Sequence, residues 1–225
     1  MVTGVLKRWW TTPSAPCSAA EADIVPGAFL PTERRLHARS RWRPGMPLRS
    51  GMCRHDQLDT RSFRTWARAL GEPWSPHRKL WEYCFVCQAL DERGMLRPGR
   101  RGLGFAVGTE PLVSLFASRG CDITATDLAP DDDRIAAWAP SRQWAGDPSV
   151  LNARGLCNPE VFARHVRFRP VDMNAIPADL GRHDFSWSCC SFEHCGSIEL
   201  GLRFLISQME CLEPGGIAVH TTELN

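Results

Sequence analysis

Five short stretches of this 225-residue chain carry residue types able to hold or transform a ligand. In Ala106-Val107-Gly108-Thr109-Glu110, Gly108 lets the backbone turn tightly and come close to a bound molecule. Nineteen positions beyond Gly108 stands Asp127, followed by Leu128; a carboxylate at this spacing can accept hydrogen bonds from both hydroxyls of a ribose. Asp172-Met173, ahead of Asn174-Ala175-Ile176-Pro177, offers a carboxylate for an adenine amino group and an apolar side chain for the ring face. The run Cys189-Cys190-Ser191-Phe192-Glu193-His194 ends in the residue type best suited to general-base work near neutral pH, so His194, with Glu193 beside it, is the catalytic candidate. Last comes the turn Leu212-Glu213-Pro214-Gly215-Gly216. Each candidate also has a purely structural alternative. Asp127 can cap a strand end, Asp172 can bond local backbone amides, and Glu193 and His194 can be hydrogen-bonded in place.

These stretches matter because of the elements expected to precede them. Apolar residues at Phe63, Trp66, Ala67 and Leu70 predict a helix over residues 60–70. A second helix is expected to start at Ser75 as N-cap with Pro76 in its first turn and to end at Gly94. Beyond Pro98-Gly99 strands alternate with helices. Strands are expected at 102–107, 123–126, 166–171, 185–189 and 217–221, and helices at 111–119, 132–138, 158–165 and 198–212. Such alternation predicts an α/β fold with a doubly wound, mostly parallel, Rossmann-like sheet. Ligands in such sheets sit beyond the carboxyl ends of the strands, where all the candidates fall. The organisation expected is an irregular basic arm over 1–57, a helical lead-in over 58–98 and the ligand-binding domain over 99–225.

Composition narrows the partners. Lys and Arg number 27 against 25 acids, so no overall field calls for nucleic acid or an anionic membrane. Residues 1–50 are locally basic, with eight basic side chains against three acidic ones, which fits either a solvated arm or a surface for an acidic partner. The ten cysteines are irregularly spaced, and Cys84 and Cys87 have no second pair at zinc-ligand spacing. Reduced thiols, no metal site, no membrane span and a cytoplasmic location are expected.

The region from about Leu103 to Glu223 resembles the class I S-adenosylmethionine-dependent methyltransferases. The resemblance rests on the order of glycine loop, Asp127, Asp172, the post-strand segment ending in Glu193-His194, and the Leu-Glu-Pro-Gly-Gly turn. It implies that S-adenosylmethionine is the cofactor, that Gly104, Ala106, Gly108 and Glu110 form its loop, and that Asp127 and Leu128 meet the ribose. It also implies that Asp172 and Met173 hold the adenine and that Cys189 and Cys190 lie beneath the methionine sulfur. The stretch from His77 to Glu82 resembles the N-terminal helix that closes over the cofactor in many such enzymes. The family loop reads acid-x-Gly-x-Gly-x-Gly, whereas Gly104 stands here at the acid, Ala106 at the first glycine and Glu110 at the third. Glu110 can supply the missing carboxylate, and a carboxylate in a helix's first turn is also favourable without a ligand.

The activity implied is methyl transfer to a small-molecule or glycan acceptor through oxygen or nitrogen. The rivals are a nicotinamide-dependent oxidoreductase, suggested by Gly102-x-Gly104-x-x-x-Gly108, and a binding protein that keeps the fold without turnover. Family members carry two further strands beside the fifth, and only Glu223-Leu224-Asn225 follow it here. The sheet is therefore expected to lack its last two strands, leaving an edge that invites a homodimer unless the arm covers it.

Overall fold

A computed structural model of the protein describes residues 2–7, 47–73, 75–138 and 143–223, the first of these segments as backbone. The strands are β1 (Val2–Lys7), β2 (Gly51–Met52), β3 (Arg101–Gly104), β4 (Asp122–Asp127), β5 (Val166–Pro170), β6 (His183–Cys189) and β7 (Leu212–Thr222). The helices are α1 (His55–Leu58), α2 (Arg61–Ala69), α3 (Arg78–Asp91), α4 (Leu112–Ser118), α5 (Pro159–His165) and α6 (Ile198–Ser207). Among the described residues the sheet has seven strands in the order β2-β1-β7-β6-β3-β4-β5. The five from β7 to β5 run parallel, as an α/β doubly wound sheet requires.

Local signals set the helix starts. Thr60 caps α2 by accepting from the Phe63 amide, and Asn158 caps α5 by accepting from the amides of Glu160 and Val161 with Pro159 in the first turn. The second helix begins later than Ser75: His77 is its N-cap, its Nδ1 accepting from the Leu80 amide at 3.2 Å. The stretch expected as a helix over 132–138 is a 3-10 segment, Asp133–Ala137, and the long helix after β6 gives way to a 3-10 turn at Gln208–Cys211.

Helix α3 buries nearly every side chain from Leu80 to Leu90, and joins α2 and α4 in the larger core cluster. Phe63, Trp81, Phe85, Phe116, Phe185 and Trp187 are its largest fully buried members. Each side chain of this size stabilises the fold by about 1.5–3 kcal/mol. A smaller cluster around Phe105, Phe204 and Met173 fills the α6 side. The nine cysteines among the described residues are free, and Cys17 lies outside them.

The arm expected over 1–57 requires correction. Residues 8–46 lie outside the described residues, but β1 pairs antiparallel with β7 along its whole length, Val2 opposite Thr222 and Lys7 opposite Ile217, and β2 adds to its far side. The outer edge of β7 is thus paired, and the two positions beside it are filled by strands from the start of the chain rather than missing. No open β7 edge is left beside β1 to drive the homodimer expected from it. The reason for the miss is physical: a six-residue strand broken by Gly4 has weak local propensity, and its hydrogen bonds go to a partner over 200 positions away.

Candidate functional site

Chain order reverses at β3, with β4 and β5 on one side and β6 and β7 on the other, so a crevice opens past the carboxyl ends of β3 and β6. An open cleft lies there, where ligands of doubly wound sheets sit. It is lined by Ala106, Gly108, Glu110, Asp127, Leu128, Asp172, Met173, Cys189, Cys190 and His194, ten of the twelve residues expected from the sequence. Two non-glycine residues among those described have left-handed φ, Ala106 at 46° and Cys190 at 49°, and both line this cleft. Backbone strain of this kind concentrates at functional sites.

Gly104 does not line the cleft. A Cβ there would stand 2.5 Å from Trp187 Cζ2 and from Val107 Cγ1, and one at Gly102 would stand 2.3 Å from the Phe185 ring. Both glycines exist to let aromatic rings pack against β3, which is why no acid occupies position 104. Ala106 holds a left-handed backbone conformation at a cost of about 1–2 kcal/mol. Gly108, φ 52°, could not carry a side chain, because its Cβ would lie 2.6 Å from the Gln143 carbonyl oxygen.

Asp127, at the end of β4, is buried and organises this loop. Its Oδ2 accepts from the amides of Gly108 at 2.9 Å and Ala145 at 3.1 Å, and its Oδ1 from that of Leu128 at 2.8 Å. Burial raises its pKa and the three N–H donors oppose the rise. Three of about four acceptor positions are used, leaving one toward the cleft.

Beyond β5, Asp172 accepts from the Asn174 amide at 2.9 Å and from Arg134 at 2.7 Å. Met173 is buried behind it, and Leu128 lies half-buried on the β4 side. Trp144 closes that side by donating from its indole nitrogen to the Leu128 carbonyl at 3.1 Å.

A buried charge pair also lines the cleft. Glu110 is buried, its Oε1 lies 3.6 Å from Lys79 Nζ, and its Oε2 has no hydrogen-bond partner. Burial pushes its pKa up to about 8, with the Lys79 ammonium opposing. Lys79 reaches in from α3, donating to the Cys189 carbonyl at 3.1 Å and to Glu82 Oε2 at 3.3 Å; burial works against its charge, but the acids beside it, Glu110 first and Glu82 also, hold its pKa above the usual value. Burial beside Glu110 keeps the Cys189 thiol protonated.

His194 is exposed at the mouth, its ring edge-on to Trp138 with centroids 4.6 Å apart. Its neighbour Glu193 turns away from the cleft. Glu193 accepts from the Glu223 amide at 3.2 Å and joins Cys190 and Glu223 in a group whose sulfur and carboxylate oxygens lie within 4.8 Å of one another. Arg78 pairs with Glu223 and stands 3.6 Å from Glu82. The expectation that Glu193 shares the mouth with His194 is therefore corrected by the path of β7, which draws its carboxylate to the sheet.

Sequence reasoning did not single out Arg134, Trp138, Gln143 or Trp144, all of which line the cleft. Arg134 alone left a signal, sitting two residues after an Asp that could cap a turn. Lys79 fell within the helix that the resemblance highlighted, without a role of its own. No described helix is long and apolar enough to cross a membrane.

No family model matches the sequence, and no curated protein matches it. Among solved structures the chain is similar to the glycopeptide N-methyltransferase MtfA complexed with sinefungin, at 22% identity and TM-score 0.42, covering 59% of this chain and 46% of that one. It is similar to the CcbJ methyltransferase from Streptomyces caelestis, at 15% identity and TM-score 0.42, over 56% and 44%. It is also similar to a SAM-dependent methyltransferase from Geobacter sulfurreducens in complex with S-adenosyl-L-homocysteine, at 19% identity and TM-score 0.38, over 57% and 44%. The chain spans less than half the length of each of these structures.

Proposed function

We propose that the chain binds S-adenosylmethionine in this cleft and transfers its methyl group to a small-molecule or glycan acceptor. The observation that carries the reading is Glu110: a buried carboxylate lining the same cleft as Asp127 and Asp172, with one oxygen unpartnered. A buried acceptor left unpaired costs about 1–3 kcal/mol, and the α-ammonium of an amino acid is a group able to satisfy it. The donor set therefore fits a molecule with a nucleoside at one end and a cationic amine at the other. Glu110 takes the place of the acid that the packing of Trp187 excludes from position 104.

When bound, S-adenosylmethionine supplies an electrophilic methyl group on a sulfonium. In this reading the chain's residues position and exclude water. Asp127 offers its remaining acceptor position to the ribose, Asp172 takes the adenine amino group, and Leu128 and Met173 flank the ring. Glu110 anchors the ammonium, and the neutral thiols of Cys189 and Cys190 line the middle without competing as nucleophiles. His194 at the mouth accepts the proton that a hydroxyl acceptor must lose, while an amine acceptor needs orientation alone.

The nicotinamide reading is disfavoured by Gly102 and Gly104, which face Phe185 and Trp187 and leave no glycine cradle for a diphosphate there. Titration with S-adenosylhomocysteine tests the proposal. Saturable binding that Asp127→Ala weakens by about 1.5–3 kcal/mol supports it, and an unchanged affinity in that variant removes the ribose assignment.

A further inference from the structure

At the nucleoside end of the cleft two loops face each other, one following β4 and one following β5, and Arg134 joins them. Its guanidinium donates to Asp132 Oδ2 at 2.6 Å and Oδ1 at 2.9 Å on the first loop. On the second it donates to Asp172 Oδ2 at 2.7 Å, with a longer contact to Oδ1 at 3.4 Å. Asp132 also accepts from the Arg134 amide at 2.9 Å, so backbone and side chain of Arg134 are held by one carboxylate. These hydrogen bonds from the Arg134 side chain and amide hold Asp132 down at about 2. Ile135, buried next to it, anchors the segment beneath.

We propose that Arg134 is a positioning residue that sets base selectivity, acting through Asp172 by fixing its carboxylate to receive the 6-amino group of an adenine. The inference rests on the adenosine reading given above. The Asp172 side chain is 33% exposed, so a carboxylate tied only to the local Asn174 amide is free to change rotamer. A planar guanidinium contacting both oxygens fixes the plane of the carboxylate. Oδ2 keeps one acceptor position beyond its bond to Arg134, and an ionised carboxylate is acceptor-only. Held in place, it receives an amino donor and repels a carbonyl oxygen, which discriminates a 6-amino purine from a 6-oxo purine. The ordinary alternative is a surface ion pair of little consequence. Because Arg134 and Asp172 are both partly exposed, replacing them leaves the fold intact under either view.

Calorimetric titration with S-adenosylhomocysteine and with S-inosylhomocysteine, its 6-oxo analogue, separates the two. The intact protein should prefer the adenine ligand by at least about tenfold. Arg134→Ala should lose most of that preference, chiefly through weaker binding of the adenine ligand, as should Asp172→Ala. The double variant should be no worse than Asp172→Ala alone, since the effects travel through one carboxylate. The proposal is overturned if Arg134→Ala keeps the preference, if it weakens both ligands equally, or if the two effects add. Failure of the intact protein to bind either ligand would remove the adenosine reading itself and this inference with it.

Discussion

Replacing Glu110 with Gln should weaken ligand binding while strengthening the fold, and the two effects should share one pH window. In the ligand-free protein burial puts the Glu110 carboxyl at about 8, so at pH 6 it is protonated and must release that proton to pair with an ammonium. With the group half ionised at pH 8 and about one part in a hundred ionised at pH 6, binding at pH 6 should be roughly 25- to 50-fold weaker than at pH 8. Above about pH 8 the ligand's own α-amino group loses its proton, so affinity peaks there. Glu110→Gln should flatten this profile. It should cost about 1.5–3 kcal/mol at pH 8, where the charge-assisted bond is lost, and little at pH 6. The sign for stability is opposite. Between the ordinary glutamate value and about 8 the folded protein retains a proton that the unfolded chain has released, so stability falls as pH rises through that window. Gln removes the titration, and the ligand-free variant should outlast the parent in denaturant at pH 8 by a few kcal/mol, the margin shrinking toward pH 5. Calorimetry with S-adenosylhomocysteine in two buffers of different ionisation heat counts the proton released on binding, about one at pH 6–7. No proton release, together with an affinity that Glu110→Gln leaves unchanged at pH 8, would refute the reasoning.

Two further substitutions test the loop and the mouth. Gly104→Asp restores the family's acid in sequence but should destabilise the protein by about 3 kcal/mol or more, since its Cβ meets Trp187 and Val107 at 2.5 Å and its carboxylate would be buried unpaired; denaturant midpoints equal to the parent's, with tighter ligand binding, would contradict this. His194→Ala should leave product affinity unchanged and lower turnover of a hydroxyl acceptor by about 10²–10⁴-fold, and full turnover in that variant would remove the general-base role.

What the sequence made legible is what local chemistry determines. Thr60, Asn158 and Pro159 announce their helices because a cap acts within its own turn. The strands leading to Asp127, Asp172 and Cys189 show as alternations, with Ile123 and Ala125, Val166 and Phe168, and Phe185 and Trp187 at every second position. The candidates at their ends therefore converge with little further information. The parts that stayed hidden depend on partners distant in the chain. Pairing of β1 with β7 is decided by backbone contacts that span the molecule. The role of Gly104 depends on Trp187, more than 80 positions on, and the same glycine in another packing would be a ligand contact. Glu110 was visible as an acid next to a helix start, but it stands ahead of the Pro111 N-cap, and its burial and unpartnered oxygen separate a binding group from a favourable helix charge. Arg134 gave no hint of Asp172 because their 38-residue separation is closed by the loops, not by periodicity.

The central claim, that this cleft is an S-adenosylmethionine site, is tested most directly by equilibrium calorimetric titration of the protein with S-adenosylhomocysteine and, in parallel, with NAD. Saturable one-to-one binding of S-adenosylhomocysteine is expected near pH 8, weakened by Asp127→Ala, with no comparable heat from NAD. Binding of NAD in preference, or no binding of S-adenosylhomocysteine at pH 8, would contradict it.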